Sequence, residues 1–294
     1  MAQLVDLPPL DAAAWRDAVL AHLGESHRRL GGLIERRGPL RLFANPTYGW
    51  TFFNTARQVA PIRDPDIDPL VGQVVHFYQS HCLRPAWDLS QRLAPPSLAG
   101  RLVEAGFALD RTETLMVYPM EEGRRRTEDE RGAAGRQQAE GSRWREIEDA
   151  RRNTKYEIRN PSLDDFIHAW QQGFAMGPDT NLEQVHSLFS RDLASGWEFW
   201  CAYQDGQAVG TLGALSFEGV VQIANVSTLP SLRRQGVATA LVRHALRRAE
   251  AAGHTLVYLN AATDSPAERL YQRLGFAALD LWRTYGYQKE AWWG

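Results

Sequence analysis

The stretch Val226-Ser-Thr-Leu-Pro-Ser-Leu-Arg-Arg-Gln-Gly-Val-Ala-Thr-Ala-Leu-Val-Arg-His-Ala-Leu-Arg-Arg248 sets the fold. It continues a β-branched run that begins at Ile223, turns at Pro230, and enters a basic loop, Arg233-Arg234-Gln235-Gly236-Val237-Ala238. From Gly236 the apolar residues recur at helical spacing: Val237, Leu241, Val242, Ala245, Leu246 and Ala249 fall on one face. Arg243, Arg247 and Arg248 fall opposite. A strand, a basic glycine loop and a helix start in that order form an anion-binding arrangement. The first helical turn carries unpaired N–H groups and the positive end of the dipole. Gly236 and Ala238 leave room for a phosphate to reach the backbone. The same pattern also fits an ordinary turn with surface arginines, so the remaining motifs decide between the two.

About thirty residues on comes Ala267-Glu-Arg-Leu-Tyr-Gln-Arg-Leu-Gly-Phe276. The Arg-x-x-Gly-x-Ala loop followed by Leu-Tyr-x-x-x-Gly-Phe resembles the GNAT N-acetyltransferase family in motif, order and spacing. The resemblance implies an α/β fold, an α+β mixed sheet, with acetyl-CoA as co-substrate and no metal. In the family, loop N–H groups cradle the pyrophosphate, and the preceding strand pairs with the pantetheine arm and offers an N–H to the thioester carbonyl. Carried across, this assigns cofactor contacts to Val226, Ser227 and Thr228 and to Arg233, Arg234, Gln235, Gly236, Val237, Ala238 and Thr239. Tyr271 matches the tyrosine placed near the CoA sulfur, and its phenol is the expected acid for the departing thiolate. Its alternative is a ring packed in the core. Where the family often has Asn seven residues earlier, this chain has Asp264, so Ser265 or Asn260 is the substitute contact.

No general base is legible. The family often places Glu on the strand before the loop, but Gln222 and Asn225 stand there. Glu198 is the candidate that remains, against a plain exposed strand Glu. His168, His186 and His254 are isolated, and Trp197, Phe199 and Trp200 fit either an acceptor cleft or the core.

The chain of 294 residues has room for two domains, and its formal net charge of -2 offers no nucleic-acid coat. Cys82 and Cys201 lack metal-ligand spacing and read as free thiols. Neither a signal peptide nor a membrane-length apolar run is apparent. These features point to a cytoplasmic protein, monomer or homodimer, that engages neither nucleic acid nor membrane. Its partner would be a small-molecule or peptide amine.

Residues 121–154 hold nine arginines against nine acids and few large apolar residues, which predicts a charged linker. It separates 1–120 from 155–294. In the second part, a strand at 155–159, helices at 161–175 and 182–194, three strands at 197–203, 207–217 and 220–228, a strand at 255–260 and a helix at 266–273 are expected. In the first, helices are expected at 11–31, 70–83 and 97–105, with strands at 40–44, 49–55, 87–89 and 107–118. An ungapped superposition of Gly106-Phe107 on Gly275-Phe276 makes 1–120 a degenerate GNAT-like domain, the first of two in tandem. It sets Asp64 under Arg233, Ile67 under Gly236, Pro69 under Ala238 and Leu102 under Tyr271. Carboxylates and a proline offer a phosphate neither charge nor donor, so this part is expected not to bind CoA.

The reading is an acetyl-CoA-dependent N-acetyltransferase acting on an amine by direct attack on the thioester. The alternatives are a non-catalytic acyl-CoA sensor of the same fold, and a longer acyl donor.

Overall fold

The computed structural model describes residues 9–48, 53–120, 155–177 and 180–288, with side chains from Ala12 onward. The expected linker 121–154, part of the expected strand at 49–55, and Trp292-Trp293 lie outside the described residues.

In chain order the elements are α1 (Pro9–Arg29), β1 (Leu33–Arg37), β2 (Leu40–Ala44), β3 (Thr55–Gln58), α2 (Ile67–Ser80), β4 (Ala86–Ser90), α3 (Leu98–Ala105) and β5 (Phe107–Pro119). There follow β6 (Glu157–Arg159), α4 (Leu163–Gly173), α5 (Leu182–Ala194), β7 (Trp197–Gln204), β8 (Gln207–Phe217) and β9 (Val220–Thr228). The last are α6 (Val237–Ala251), β10 (Leu256–Ala262), α7 (Pro266–Arg273) and β11 (Ala277–Tyr287). The predicted helices are present within a few residues of their expected ends. Gly106 stops α3 in the left-handed conformation at φ 101°.

Two strands differ from expectation. β1 was not legible, because Leu-Ile-Glu-Arg-Arg has no alternation and is exposed or half-buried throughout. It forms a hairpin with β2 through Gly38-Pro39, with Arg37 opposite Leu40. Of the described residues of the strand expected at 49–55, only Thr55 is in a strand, and β3 pairs antiparallel with β2 from Phe43–Thr55 to Leu40–Gln58. Ahead of it Asn54 is buried, its Oδ1 accepting from the Asn45 amide at 2.9 Å. Its side chain thus occupies the place where a strand would continue.

The chain forms two compact units, one from 1–118, 216–222 and 258–294, the other from 119–215 and 223–257. They do not follow the division at 121–154. In the first unit the strand order is β1-β2-β3-β4-β11-β5. β3 and β4 are parallel, and β11 pairs antiparallel with β4 on one side and β5 on the other. The last strand of the sequence therefore sits between two strands formed by N-terminal residues. Tyr285 and Tyr287 of β11 pack into one apolar core with Leu40, Leu42, Trp87 and Phe107.

A buried polar network fixes the register. Arg57 donates to Asp88 Oδ2 through Nε at 3.1 Å and Nη2 at 2.7 Å, and Thr284 Oγ1 donates to Asp88 Oδ1 at 2.7 Å. The guanidinium also lies 4.3 Å from the Trp282 ring centroid. On the next pair, Ser90 Oγ and Trp282 Nε1 donate to Asp280 Oδ2. Slipping β11 by one residue would strand these buried charges without partners.

In the second unit the strand order is β6-β7-β8-β9. Asp205-Gly206 and Glu218-Gly219 both have positive φ at each residue, the geometry of a two-residue hairpin turn that follows strand twist. One face of β7 carries Trp197, Phe199, Cys201 and Tyr203 into a core with Phe166 of α4 and Phe189 of α5. Phe166 and Phe199 stack at 4.2 Å. Trp197 and Phe199, candidates for an acceptor cleft, are thus core residues.

Two predictions follow from these cores. Residues 155–294 expressed alone leave β11 without β4 and β5; the fragment is expected to lack a cooperative thermal transition, and mixing with 1–120 to restore one. The second concerns Asp192, which shares the buried face of α5 with Val185, Leu188 and Phe189. Burial raises its carboxyl from 3.8 to about 7. The folded state therefore holds this proton more tightly than the unfolded chain, and the contribution to stability falls as pH rises from about 4 to about 7. Asp192→Asn and wild type should melt alike near the low end, with the variant progressively more stable toward neutrality in thermal scans across that range.

Candidate active site

The loop and strand singled out by the sequence lie together in the second unit. β9 is bent at Asn225, which takes φ 55°. Its carbonyl accepts from Thr211 Oγ1 at 2.7 Å, and its Oδ1 accepts from Trp170 Nε1 at 3.2 Å. Both bonds hold a conformation that costs a non-glycine residue free energy. Beyond the bend Ser227 is buried, its hydroxyl 2.7 Å from Thr211 Oγ1, while Val226 and Thr228 are half-buried. Leu229 N then donates to Val209 O at 3.0 Å.

After a short turn at Pro230–Leu232 the loop runs to α6, whose N-cap is Gly236 at φ 91°. Arg234 is also left-handed, at φ 62°. A Cβ built on Gly236 meets nothing within 4 Å, so the glycine serves the backbone conformation and leaves open space at the helix start. The first turn of α6, Val237-Ala238-Thr239, supplies N–H groups that have no partner within the helix. This backbone fits an anion with close access. Gly210 of β8 serves packing instead: a Cβ there would lie 2.5 Å from Val237 Cγ1 and 2.8 Å from Ser227 O. The helix start and β9 can approach each other because that position is glycine.

Two anchors of the loop were not legible from the sequence. Tyr156 OH donates to Gln235 O at 3.1 Å, and Lys155 Nζ donates to Gln235 Oε1 at 2.8 Å. Nothing in a Lys-Tyr pair eighty residues upstream signals this contact. Gln235, expected to contact the cofactor, therefore has its side chain engaged by Lys155 and its carbonyl by Tyr156. Arg233 likewise donates through Nη2 to Gly173 O at 2.9 Å.

Glu198 lies on the face of β7 opposite the aromatic core and forms an ion pair with Arg248 at 3.6 Å. Arg248 is in the last turn of α6, about 16 Å along the axis from the helix start at a rise of about 1.5 Å per residue. His168 bonds Gln172 at 2.7 Å on the surface of α4, and His186 sits 3.8 Å from Asp164.

Tyr271, Asn260 and Ser265 belong to the first unit. Tyr271 is 5% exposed on α7, and burial pushes its phenol up to about 12, so it stays protonated at neutral pH. Ser265 is the N-cap of α7, its hydroxyl accepting from Glu268 N at 3.1 Å, while Glu268 Oε2 accepts from Asp264 N at 2.6 Å. This is a capping arrangement, with Asp264 at φ 60° in the turn before it. The Ser265 hydroxyl thus has a helix-capping task. Asn260 Oδ1 is buried with no hydrogen-bond partner among the described residues, the state of a group that completes its bonding with a ligand or water.

The N-terminal counterpart of the loop differs in backbone as well as chemistry, with Asp66 and Ile67 right-handed where Arg234 and Gly236 are left-handed. A short turn at Asp64–Asp66 leads straight into α2. Asp66 accepts from Arg63 Nε at 2.6 Å, Asp68 is bridged to Arg101, and Asp64 accepts from the Ser97 hydroxyl. Leu102, at the place of Tyr271, is fully buried.

Residues 159–276 match the acetyltransferase (GNAT) family model. That segment is similar to the GNAT family, as the two motifs implied. N-acetyltransferase 8 of Rattus norvegicus is 32% identical over 114 residues, covering 36% of this chain and 50% of that protein. The chain spans about half the length of the curated relatives it matches. Among solved structures, a GCN5-related N-acetyltransferase from Kribbella flavida matches 95% of this chain and 96% of its own, with TM-score 0.63 and 18% identity. A tandem GNAT protein from the clavulanic acid biosynthesis pathway matches 85% of this chain and 80% of its own, at TM-score 0.52 and 14% identity. At such identities the likeness is one of fold, and it runs nearly the whole length of the chain. Among the described residues no helix is long and apolar enough to cross a membrane.

The Tyr156 anchor gives a direct test of the loop. Tyr156→Phe removes one hydrogen bond, worth about 1 kcal/mol, and acetyl-CoA binding by calorimetry should weaken roughly fivefold.

Proposed function

We propose that the protein transfers the acetyl group of acetyl-CoA to the amine of an acceptor by direct attack on the thioester. The observation that carries this reading is the bent β9 leading through left-handed Arg234 and Gly236 to the open start of α6, within a segment similar to the GNAT family. The printed name of the rat relative, an N-acetyltransferase, agrees with nitrogen as the acceptor atom.

In this reading the N–H groups from Arg234 to Thr239 bind the pyrophosphate, and β9 residues Val226 to Thr228 bind the pantetheine arm. A backbone N–H there stabilises the oxyanion as the amine nitrogen bonds the carbonyl carbon. The carbon–sulfur bond then breaks, the amine nitrogen gives its proton to water, and the thiolate takes one. By the family resemblance Tyr271 serves the departing sulfur as a hydrogen-bond donor. Its phenol, at about 12, is a weaker acid than a thiol of about 8.5, so it keeps its proton and solvent protonates the thiolate. Glu198, with Arg248 for a partner, is given no part in removing the amine proton.

The N-terminal loop, with its aspartates and proline, does not take a second acetyl-CoA. Its role is structural: β4 and β5 hold β11. One acetyl-CoA per chain is thus the expected stoichiometry.

The test is release of free thiol from acetyl-CoA by the intact chain against a panel of amines: polyamines, aminoglycosides, amino acids and peptide N-termini. Amine-dependent release supports the reading, and acetyl-CoA binding with no release from any class would favour a binding protein. With an active amine in hand, Tyr271→Phe should lower turnover about 100-fold while the chain still binds acetyl-CoA.

A further inference from the structure

The sequence assigns Arg233, at the head of the loop motif, to the cofactor, yet its guanidinium is committed elsewhere. Nη2 donates to the carbonyl of Gly173, the last residue of α4. That carbonyl is among the four at a helix C-terminus that lack an intrahelical donor, and a cation there also meets the negative end of the dipole. The bond is one of several that join this helix end to the donor strand. Trp170 Nε1 donates to Asn225 Oδ1, and Ser227 Oγ lies 3.5 Å from Ala169 O. Gly173 itself is in close approach: a Cβ there would lie 2.4 Å from Ser227 Oγ and 3.2 Å from Thr228 N. The end of α4 thus bears directly on the strand and loop assigned to acetyl-CoA.

The next residues leave the helix with exposed apolar side chains. Phe174 is 46% and Met176 40% exposed, and Ala175 between them takes φ 52°. Their amides are tied back to the helix: Phe174 N to Trp170 O, Ala175 N to Gln172 O and Met176 N to Gln171 O. This turn depends for its position on the last carbonyls of α4, one of which Arg233 holds.

We propose that Arg233 is a positioning residue rather than a phosphate ligand. It clasps the cofactor loop to the end of α4, so that filling the loop with acetyl-CoA fixes the turn at Phe174–Met176. The coupling rests on the proposed function; the clasp does not. Because the loop and the turn share this one side chain, donor binding precedes and orders the surface that follows α4. A ligand shifts such an element by as much as it prefers one arrangement of it.

Hydrogen exchange on the full chain tests both parts. Without ligand, Arg233→Gln should speed exchange at Phe174, Ala175 and Met176 about tenfold, with Arg233→Lys, which keeps the positive charge at the helix end, falling between it and wild type. Unchanged exchange in Arg233→Gln overturns the clasp. Acetyl-CoA should then slow these amides in wild type and leave them fast in Arg233→Gln. Slowing in both proteins overturns the coupling.

Calorimetry over a range of salt supplies the discriminating readout. A phosphate contact is screened by salt, so its loss would flatten the salt dependence of acetyl-CoA affinity. The expected result is the same dependence in wild type and Arg233→Gln, and a flatter one in the variant overturns the proposal. Failure of wild type to bind acetyl-CoA overturns the functional reading and the coupling together, whereas the ligand-free exchange still decides the clasp.

Discussion

The placement of β11 is the constraint on which the first unit depends. A strand from the end of the chain lies between β4 and β5, both from its first 120 residues. Asp88 is the centre of that junction. It receives Arg57 from β3 and Thr284 from β11, and its side chain is 3% exposed. A buried carboxylate with three hydrogen bonds is stable in one register, and losing one partner leaves the charge without compensation. Apolar packing sets the depth of the junction through Tyr285 and Tyr287, while the polar network sets its alignment. The chain cannot be divided at 121–154 without emptying that position.

The N-terminal and C-terminal parts use the same sequence of parts to different ends. Each has a turn that leads directly into a helix, and each has a later helix ending in Gly-Phe and a long strand. In the N-terminal part the turn is lined by Asp64, Asp66 and Asp68, each engaged by a neighbouring side chain. In the C-terminal part it is a glycine loop with left-handed residues at 234 and 236. One is closed by its own ion pairs; the other presents backbone donors. The difference lies in side-chain chemistry and in the backbone, since the left-handed residues at 234 and 236 have no counterpart at 64–67.

The second unit shows how glycine and bent backbone replace side chains in such a site. Gly236 is required for its φ, and Gly210 and Gly173 for contact distance. Asn225 holds a left-handed conformation in the middle of a strand because its amide and carbonyl are both engaged. The reactive surface is therefore made mostly of main chain, which is rigid only when its neighbours are. Tyr156, Trp170 and Thr211 supply that rigidity from outside the motif, and Arg233 supplies it from the motif's head.

Local chemistry was legible in the sequence wherever periodicity or a special residue carried it. The helical spacing after Gly236, the two Asp-Gly and Glu-Gly turns, the left-handed stop at Gly106 and the Leu-Tyr-x-x-x-Gly-Phe helix each depend on residues close in sequence. From them the sequence by itself determined the element order, the likeness of the C-terminal segment to the GNAT family and the course of the glycine loop at 233–239. It missed β1, because a charged edge strand has no buried face to impose alternation. The resemblance assigned Ser265, Gln235 and Arg233 to the cofactor, and the structure adds that their side chains hold a helix cap, the 155–156 anchor and the end of α4. Tertiary structure alone decided those tasks, along with the exchange that puts β11 beside β4. The physical reason is the same in each case: partners are set by which elements pack together, and sequence separation says nothing of that.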